Sequence, residues 1–118
     1  MRLERKISAS FRESEFRCRC RSETCDAKPM RLEFIALLQA LRDLWGRPMS
    51  PTSGARCAPH NAAVKGAPNS QHLLGNAADF WFIDPSSTRK FVELAEKIGF
   101  RGIGCGKHLV HLDSRDGE

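Results

Sequence analysis

A chain of 118 residues has room for one compact domain and not for two. Its 41% hydrophobic and 28% charged residues exclude a disordered chain, and no stretch approaches the roughly 20 apolar residues that span a bilayer. A net charge of +5 favours a polyanionic partner such as nucleic acid, anionic membrane or anionic cell wall, although a solvated basic face is the plainer reading.

The first sixteen residues, MRLERKISASFRESEF, carry charge without a continuous apolar core, so they do not read as a secretory signal. Synthesis in the cytoplasm is expected, with any action on a cell wall depending on release by other means. Residues 1–29 lack periodicity and are expected to form an irregular arm wrapped on the domain. The five cysteines are Cys18, Cys20, Cys25, Cys57 and Cys105, an odd count that argues against a complete disulfide framework. Cys18, Cys20 and Cys25 are close enough to share a structural zinc with Cys57. Their C-x-C-x4-C spacing is not the paired C-x-x-C of common zinc ribbons, however, and reduced thiols or one local bridge are the expectation.

From Met30 the periodicity sharpens. Phe34, Leu37, Leu38, Leu41, Leu44 and Trp45 recur at three- and four-residue steps, the stripe of a core helix. Pro29 suits its start, and Gly46 and Pro48 suit its end. Residues 49–53 read as a short edge strand, because Pro51 cannot donate to a ladder. Pro59 opens a short helix that closes near Gly66. The segment AADFWFI reads as a strand with Asp79, Trp81 and Ile83 on one face and Ala78, Phe80 and Phe82 on the other. Its FWF run is taken as strand core holding Asp79 in place, not as a binding platform. A second helix is expected from Ser86 or Ser87, turning Phe91, Leu94, Ala95 and Ile98 inward and stopping at Gly99. FRGIGCG reads as a glycine-broken strand or turn, HLVHLD as a short alternating strand, and SRDGE as a frayed end. Helices and short strands mixed without a βαβ repeat predict an α+β fold with a small antiparallel sheet flanked by helices.

Three of the four histidines fall in two short motifs, each with an aspartate nearby. A catalytic zinc site uses three His, Asp or Glu ligands and keeps a fourth position open. His72, Asp79 and His111 could supply that set, although H-x6-D also arises by chance and Asp79 could be a solvated strand residue. A two-residue period puts Leu109, His111 and Asp113 on one face. His108 joins them only from the turn before the strand, which Gly102, Gly104 and Gly106 permit.

The run SGARCAPHNAAVKGAPNSQHLLGNAADFWF resembles the core signature of the M15 zinc peptidases, the D-alanyl-D-alanine carboxypeptidase family, nearest its small peptidoglycan-cleaving, phage-lysin branch. The family pattern is S-G-[YF]-R, then HN, then S-x-H-x-x-G-x-A-x-D, then a histidine in H-x-D. This chain has Ser53 to Arg56, His60 with Asn61, Ser70 to Asp79, and His111 to Asp113 in that order. The resemblance implies a fold like that of the hedgehog domain and DD-peptidases. It implies Zn2+ on His72, Asp79 and His111, a substrate carboxylate on Arg56, and a positioning role for Ser70. The implied substrate is a peptidoglycan peptide, with a monomer expected, no nucleic-acid partner and no membrane insertion. No zinc-finger spacing or aromatic-basic interleaving supports a nucleic-acid reading. Ala55 stands where the family usually has an aromatic. His108 stands where many relatives place an Asp or Glu, three residues before the last ligand. His108 is therefore expected to transfer the proton and Asp113 to support His111, with base chemistry by Asp113 the second option. His60 is expected to be a surface or capping residue. The rival to an enzyme is a non-catalytic zinc-containing binding module of the same fold, since the hedgehog signalling domain keeps a similar site.

Overall fold

The computed structural model describes residues 6–20 and 22–115. A 3-10 turn at Glu13–Phe16 precedes helix α1 (Leu32–Trp45), strand β1 (Pro51–Ser53) and helix α2 (Ala58–Ala63). A second 3-10 turn (Gln71–Leu74) leads to β2 (Ala77–Trp81), α3 (Pro85–Ile98), β3 (Gly102–Cys105) and β4 (Leu109–Asp113). The four strands form one antiparallel sheet in the order β1-β2-β4-β3, so the α+β expectation holds. Pro51 sits on an edge strand, where its missing N–H costs no ladder bond.

Binary pattern explains the two long helices. Phe34, Ile35, Leu38, Leu41 and Trp45 of α1 are buried, and Phe91 and Ala95 of α3 meet the same core. Leu44, expected in that stripe, is 54% exposed, because it lies roughly 100° round the helix from the stripe's centre. Ile35 takes its place inside. Helix α1 starts at Leu32, later than expected, and ends at Gly46 in a left-handed conformation at φ 70°. Asp84 caps α3 by accepting the Ser86 N–H at 3.0 Å, so the helix begins at Pro85, just before the serines expected to open it.

One face of the sheet completes the core through Ala78, Phe80, Val110 and Leu112, each at most 1% exposed. Phe91 meets Phe80 and Phe82 at ring separations of 5.5 and 4.8 Å, and Trp45 closes on Phe91 edge-on at 5.2 Å. Burying each large side chain of this kind contributes about 1.5–3 kcal/mol.

The arm is more than a wrapping. Phe11 and Phe16 are each 1% exposed and join the core, touching edge to face at 5.5 Å. Ser8 Oγ and the Ser10 N–H both donate to Gln39 Oε1 on α1, at 2.6 and 2.7 Å. The only regular structure of residues 6–16 is one 3-10 turn and an isolated bridge between Lys6 and Arg12, while residues 1–5 lie outside the described residues. The C-terminal end also departs from expectation. Ser114 bonds to Asn76 and Arg115 grips Asp113, so neither is loose, and residues 116–118 lie outside the described residues.

Two glycines allow close approach. Gly75 (φ 70°) sits where a side chain would collide with the Pro29 carbonyl, and its own carbonyl accepts the Arg31 N–H at 2.8 Å. Gly102 pairs with Asp113 across β3 and β4, and a methyl group there would overlap the Asp113 carboxylate. Gly102→Ala should therefore destabilise the protein by about 1–3 kcal/mol in denaturant unfolding. Gly104→Ala, whose methyl would meet only His111 Cβ at an ordinary 3.5 Å, should change little.

Candidate metal centre

The site stands on the sheet face opposite the core. Alternation along β2 sends Ala78 and Phe80 inward and turns Asp79 and Trp81 to the other side. In β4 the same rule buries Val110 and Leu112 and brings His111 up beside Asp79, its direct cross-strand partner. His72 reaches the same point from the second 3-10 turn. That turn is capped by Ser70, whose Oγ accepts the His72 N–H at 3.1 Å. Ser70 therefore acts here on the ligand-bearing backbone.

His72, Asp79 and His111 converge, each with one donor atom inside a group spanning no more than 4.8 Å. His72 Nε2 lies 3.2 Å and His111 Nδ1 2.8 Å from the same oxygen, Asp79 Oδ1. The outer nitrogens decide what this means chemically. His72 Nδ1 donates to the Gly54 carbonyl at 2.7 Å, and His111 Nε2 donates to Asp113 Oδ2 at 2.7 Å. A neutral ring so anchored keeps its lone pair on the inner nitrogen, leaving two lone pairs and a carboxylate oxygen facing one another. Such a set of acceptors calls for a cation. A proton meets that need in the metal-free protein, and the same three residues form a group that could hold a metal ion.

The charges follow from these contacts. Burial works to raise the Asp79 pKa, but the bonds from His111 and His72 outweigh it and hold the carboxyl well below the usual range. Burial likewise opposes ionisation of Asp113, yet Arg115 and His111 bring it down to about 2. His111 is pushed down by burial and pulled up more strongly by Asp79 and Asp113, so its pKa lies above the ordinary 6.5.

Asp113 is fully buried and both oxygens are engaged: Arg115 Nε donates to Oδ1 at 2.8 Å and its terminal nitrogen to Oδ2 at 2.6 Å. Its bond to His111 Nε2 leaves it placed to orient that ring, with both oxygens already engaged. Arg56 stands beside the centre, 3.4 Å from Asp79 Oδ2, with its other nitrogens on Ser53 and Asn61 at 3.2 and 3.1 Å. His108 is not brought into the ligand cluster. It lies in the bend before β4, donates from Nδ1 to the Phe82 carbonyl at 2.8 Å, and stacks on Trp81 at 5.4 Å. His60 is half-buried on α2, away from the ligand set.

Three contributors escaped the sequence reading. Asn61 is 4% exposed, holds the Ala67 carbonyl and accepts from Arg56, and its only signal was its place in the HN pair. Arg115 fell in a stretch expected to fray. Trp81 is 52% exposed on the site's face, so the FWF run is core at Phe80 and open surface at Trp81.

Two histidines and an aspartate, His72 from the turn and Asp79 and His111 from the sheet, with each histidine held from behind, make a group that could hold a metal ion. The chain belongs to the peptidase M15 family, whose family model matches residues 9–113, which include the arm from residue 9 on, the whole sheet and His72, Asp79 and His111. The fold accords with that membership. No curated protein matches the chain.

In metal-free protein, an NMR titration should place the His111 pKa above 6.5, and Asp113→Asn should lower it. A raised histidine pKa stabilises below the unfolded value and loses that contribution as pH rises through the folded one. The melting temperature of chelator-treated protein should therefore decline across that interval, and His111→Gln should remove that component of the decline. A His111 pKa at or below its ordinary value would contradict the charge pattern.

Proposed function

We propose that the chain is a zinc-dependent hydrolase of peptide bonds in peptidoglycan stem peptides, acting as one domain and as a carboxypeptidase or endopeptidase. The observation that carries this reading is the convergence of His72 Nε2, His111 Nδ1 and Asp79 Oδ1 with both outer histidine nitrogens already engaged. Zinc is the fitting metal because it is content with two imidazoles and a carboxylate and leaves a fourth position open. Bound there, it would polarise the scissile carbonyl and make water a nucleophile at neutral pH.

The chain's own residues supply the rest. Asp113, locked by Arg115, keeps the His111 ring turned so that Nδ1 faces the site. The Gly54 carbonyl does the same for His72. Arg56 offers a planar fork beside the centre and is the residue for a substrate carboxylate, and Asn61 sets its plane. His108, with Nδ1 committed to the Phe82 carbonyl, keeps Nε2 for accepting and returning a proton. Its stacking on Trp81 ties it to the face that carries Asp79. Trp81 and Leu109, 52% and 43% exposed as cross-strand partners, give the stem peptide an apolar shelf beside the metal. A protein of this kind, made in the cytoplasm, would act on the wall after release, as in phage lysis, and as a monomer. Among the described residues no helix is long and apolar enough to cross a membrane.

Zinc-loaded protein incubated with muropeptides should give shortened stem peptides by mass spectrometry. Unchanged muropeptides with zinc bound at the His72, Asp79 and His111 centre would leave a zinc-containing binding module instead. His108→Ala should retain the metal and lower kcat by about 10²–10⁴-fold, whereas Arg56→Lys should act chiefly on KM. Unaltered kcat in His108→Ala would move proton transfer to another group.

A further inference from the structure

A second group of metal-ligand side chains lies apart from the His72, Asp79 and His111 centre. Cys18, Cys20 and Cys25 from the arm meet Cys57 from the loop entering α2, with all four sulfurs within 4.8 Å of one another. None is in a disulfide, so the local bridge considered from sequence does not form. The Cys18 and Cys57 sulfurs are 3.7 Å apart. Zinc–sulfur bonds of about 2.3 Å place the sulfurs of a tetrahedron about 3.8 Å apart, so this pair already has the spacing of two ligands.

Backbone N–H groups already face two of the sulfurs. The Ser22 N–H points at Cys20 Sγ and the Cys57 N–H at Cys18 Sγ, each at 3.4 Å. Arg17 and Lys28 line the same pocket as Cys18, Cys20 and Cys25, as do Glu13 and Glu23, so the lining adds no net charge and the metal itself must balance the thiolates. Cys105, exposed on β3, stands outside the group. We propose that Cys18, Cys20, Cys25 and Cys57 form a closed, structural zinc site that fastens the arm to the loop carrying Arg56. Four thiolates fill the coordination sphere, so the site has no open position and no hydrolytic role. Its formation releases the thiol protons as the metal binds.

The proposal does not depend on the peptidase reading, and its test does not use activity. Cys18 and Cys57 are buried and their loss would disturb packing, so Cys20→Ser and Cys25→Ser are the variants to use, with Cys105→Ser as control. Zinc-reconstituted wild type and Cys105→Ser should hold about two zinc ions per chain, and His72→Ala, Cys20→Ser and Cys25→Ser about one each. With cobalt in place of zinc, His72→Ala should keep the intense near-ultraviolet thiolate-to-metal band, and Cys20→Ser should lose most of it. Chelation should also lower the melting temperature of His72→Ala. Wild type holding about one zinc that vanishes in His72→Ala would overturn the site. So would cobalt-loaded protein with no thiolate band, or freshly purified protein in which these four cysteines are paired as disulfides.

Discussion

The centre depends on one register: Asp79 opposite His111 across β2 and β4. Nothing in the polar groups themselves fixes it. The other face of the same two strands does, because Ala78, Phe80, Val110 and Leu112 are all shut into the core. A slip of one residue would exchange the faces, drive Asp79 into the aromatic cluster and expose Phe80 to water. Several buried apolar side chains thus hold a carboxylate and an imidazole 2.8 Å apart, a contact that would be worth little between mobile surface groups. The stability of the core and the geometry of the site are one constraint seen from two sides.

His72 needs a separate anchor, since it lies outside the sheet. Residues 54–56 provide it. The Gly54 carbonyl takes the His72 ring proton, the Ala55 N–H bonds the Phe16 carbonyl at 2.9 Å, and the Arg56 N–H bonds the His72 carbonyl at 3.1 Å. This short stretch joins the arm on one side to the ligand-bearing turn on the other. Phe16 therefore matters to the site through a backbone bond, and Phe11 through its contact with the Phe16 ring. Ala55, where an aromatic is usual in the family, is itself buried, so the smaller side chain sits in the wall of this junction.

How much of this was legible in the sequence follows from the range of each interaction. Helices α1 and α3 and the alternation of β2 and β4 are local patterns, and they were read with their ends and the single position Leu44 misplaced. His72, Asp79 and His111 could be nominated because their residue types are scarce and their motif specific, yet their convergence depends on a cross-strand pairing that spacing alone does not supply. Leu44 was misjudged because a three- and four-residue step admits a position at the margin of the buried stripe. Phe11 and Phe16 lie in a segment without periodicity, so only tertiary contact reveals them as core. Arg115 and Asn61 act by holding another side chain, and such roles leave no pattern of their own. The meeting of Cys57 with three cysteines of the arm is invisible for the same reason: Cys18 and Cys57 are 39 residues apart.

The two donor sets differ in a way that suits their places in the fold. Two imidazoles and one carboxylate would leave a bound metal with an open coordination position, which the proposed hydrolysis requires. Four thiolates close their metal off, which suits a fastening. In a chain of this size the core buries a smaller share of its surface than a larger domain would, and small domains commonly add a metal or a disulfide to compensate. The proposed thiolate site lies at the point where that help would be felt most. Cys57 directly follows Arg56, and its N–H is already turned to Cys18. Fixing Cys57 fixes the backbone from which the Arg56 guanidinium reaches Asp79, so a metal with no part in the proposed chemistry would set the position of the group proposed to meet the substrate.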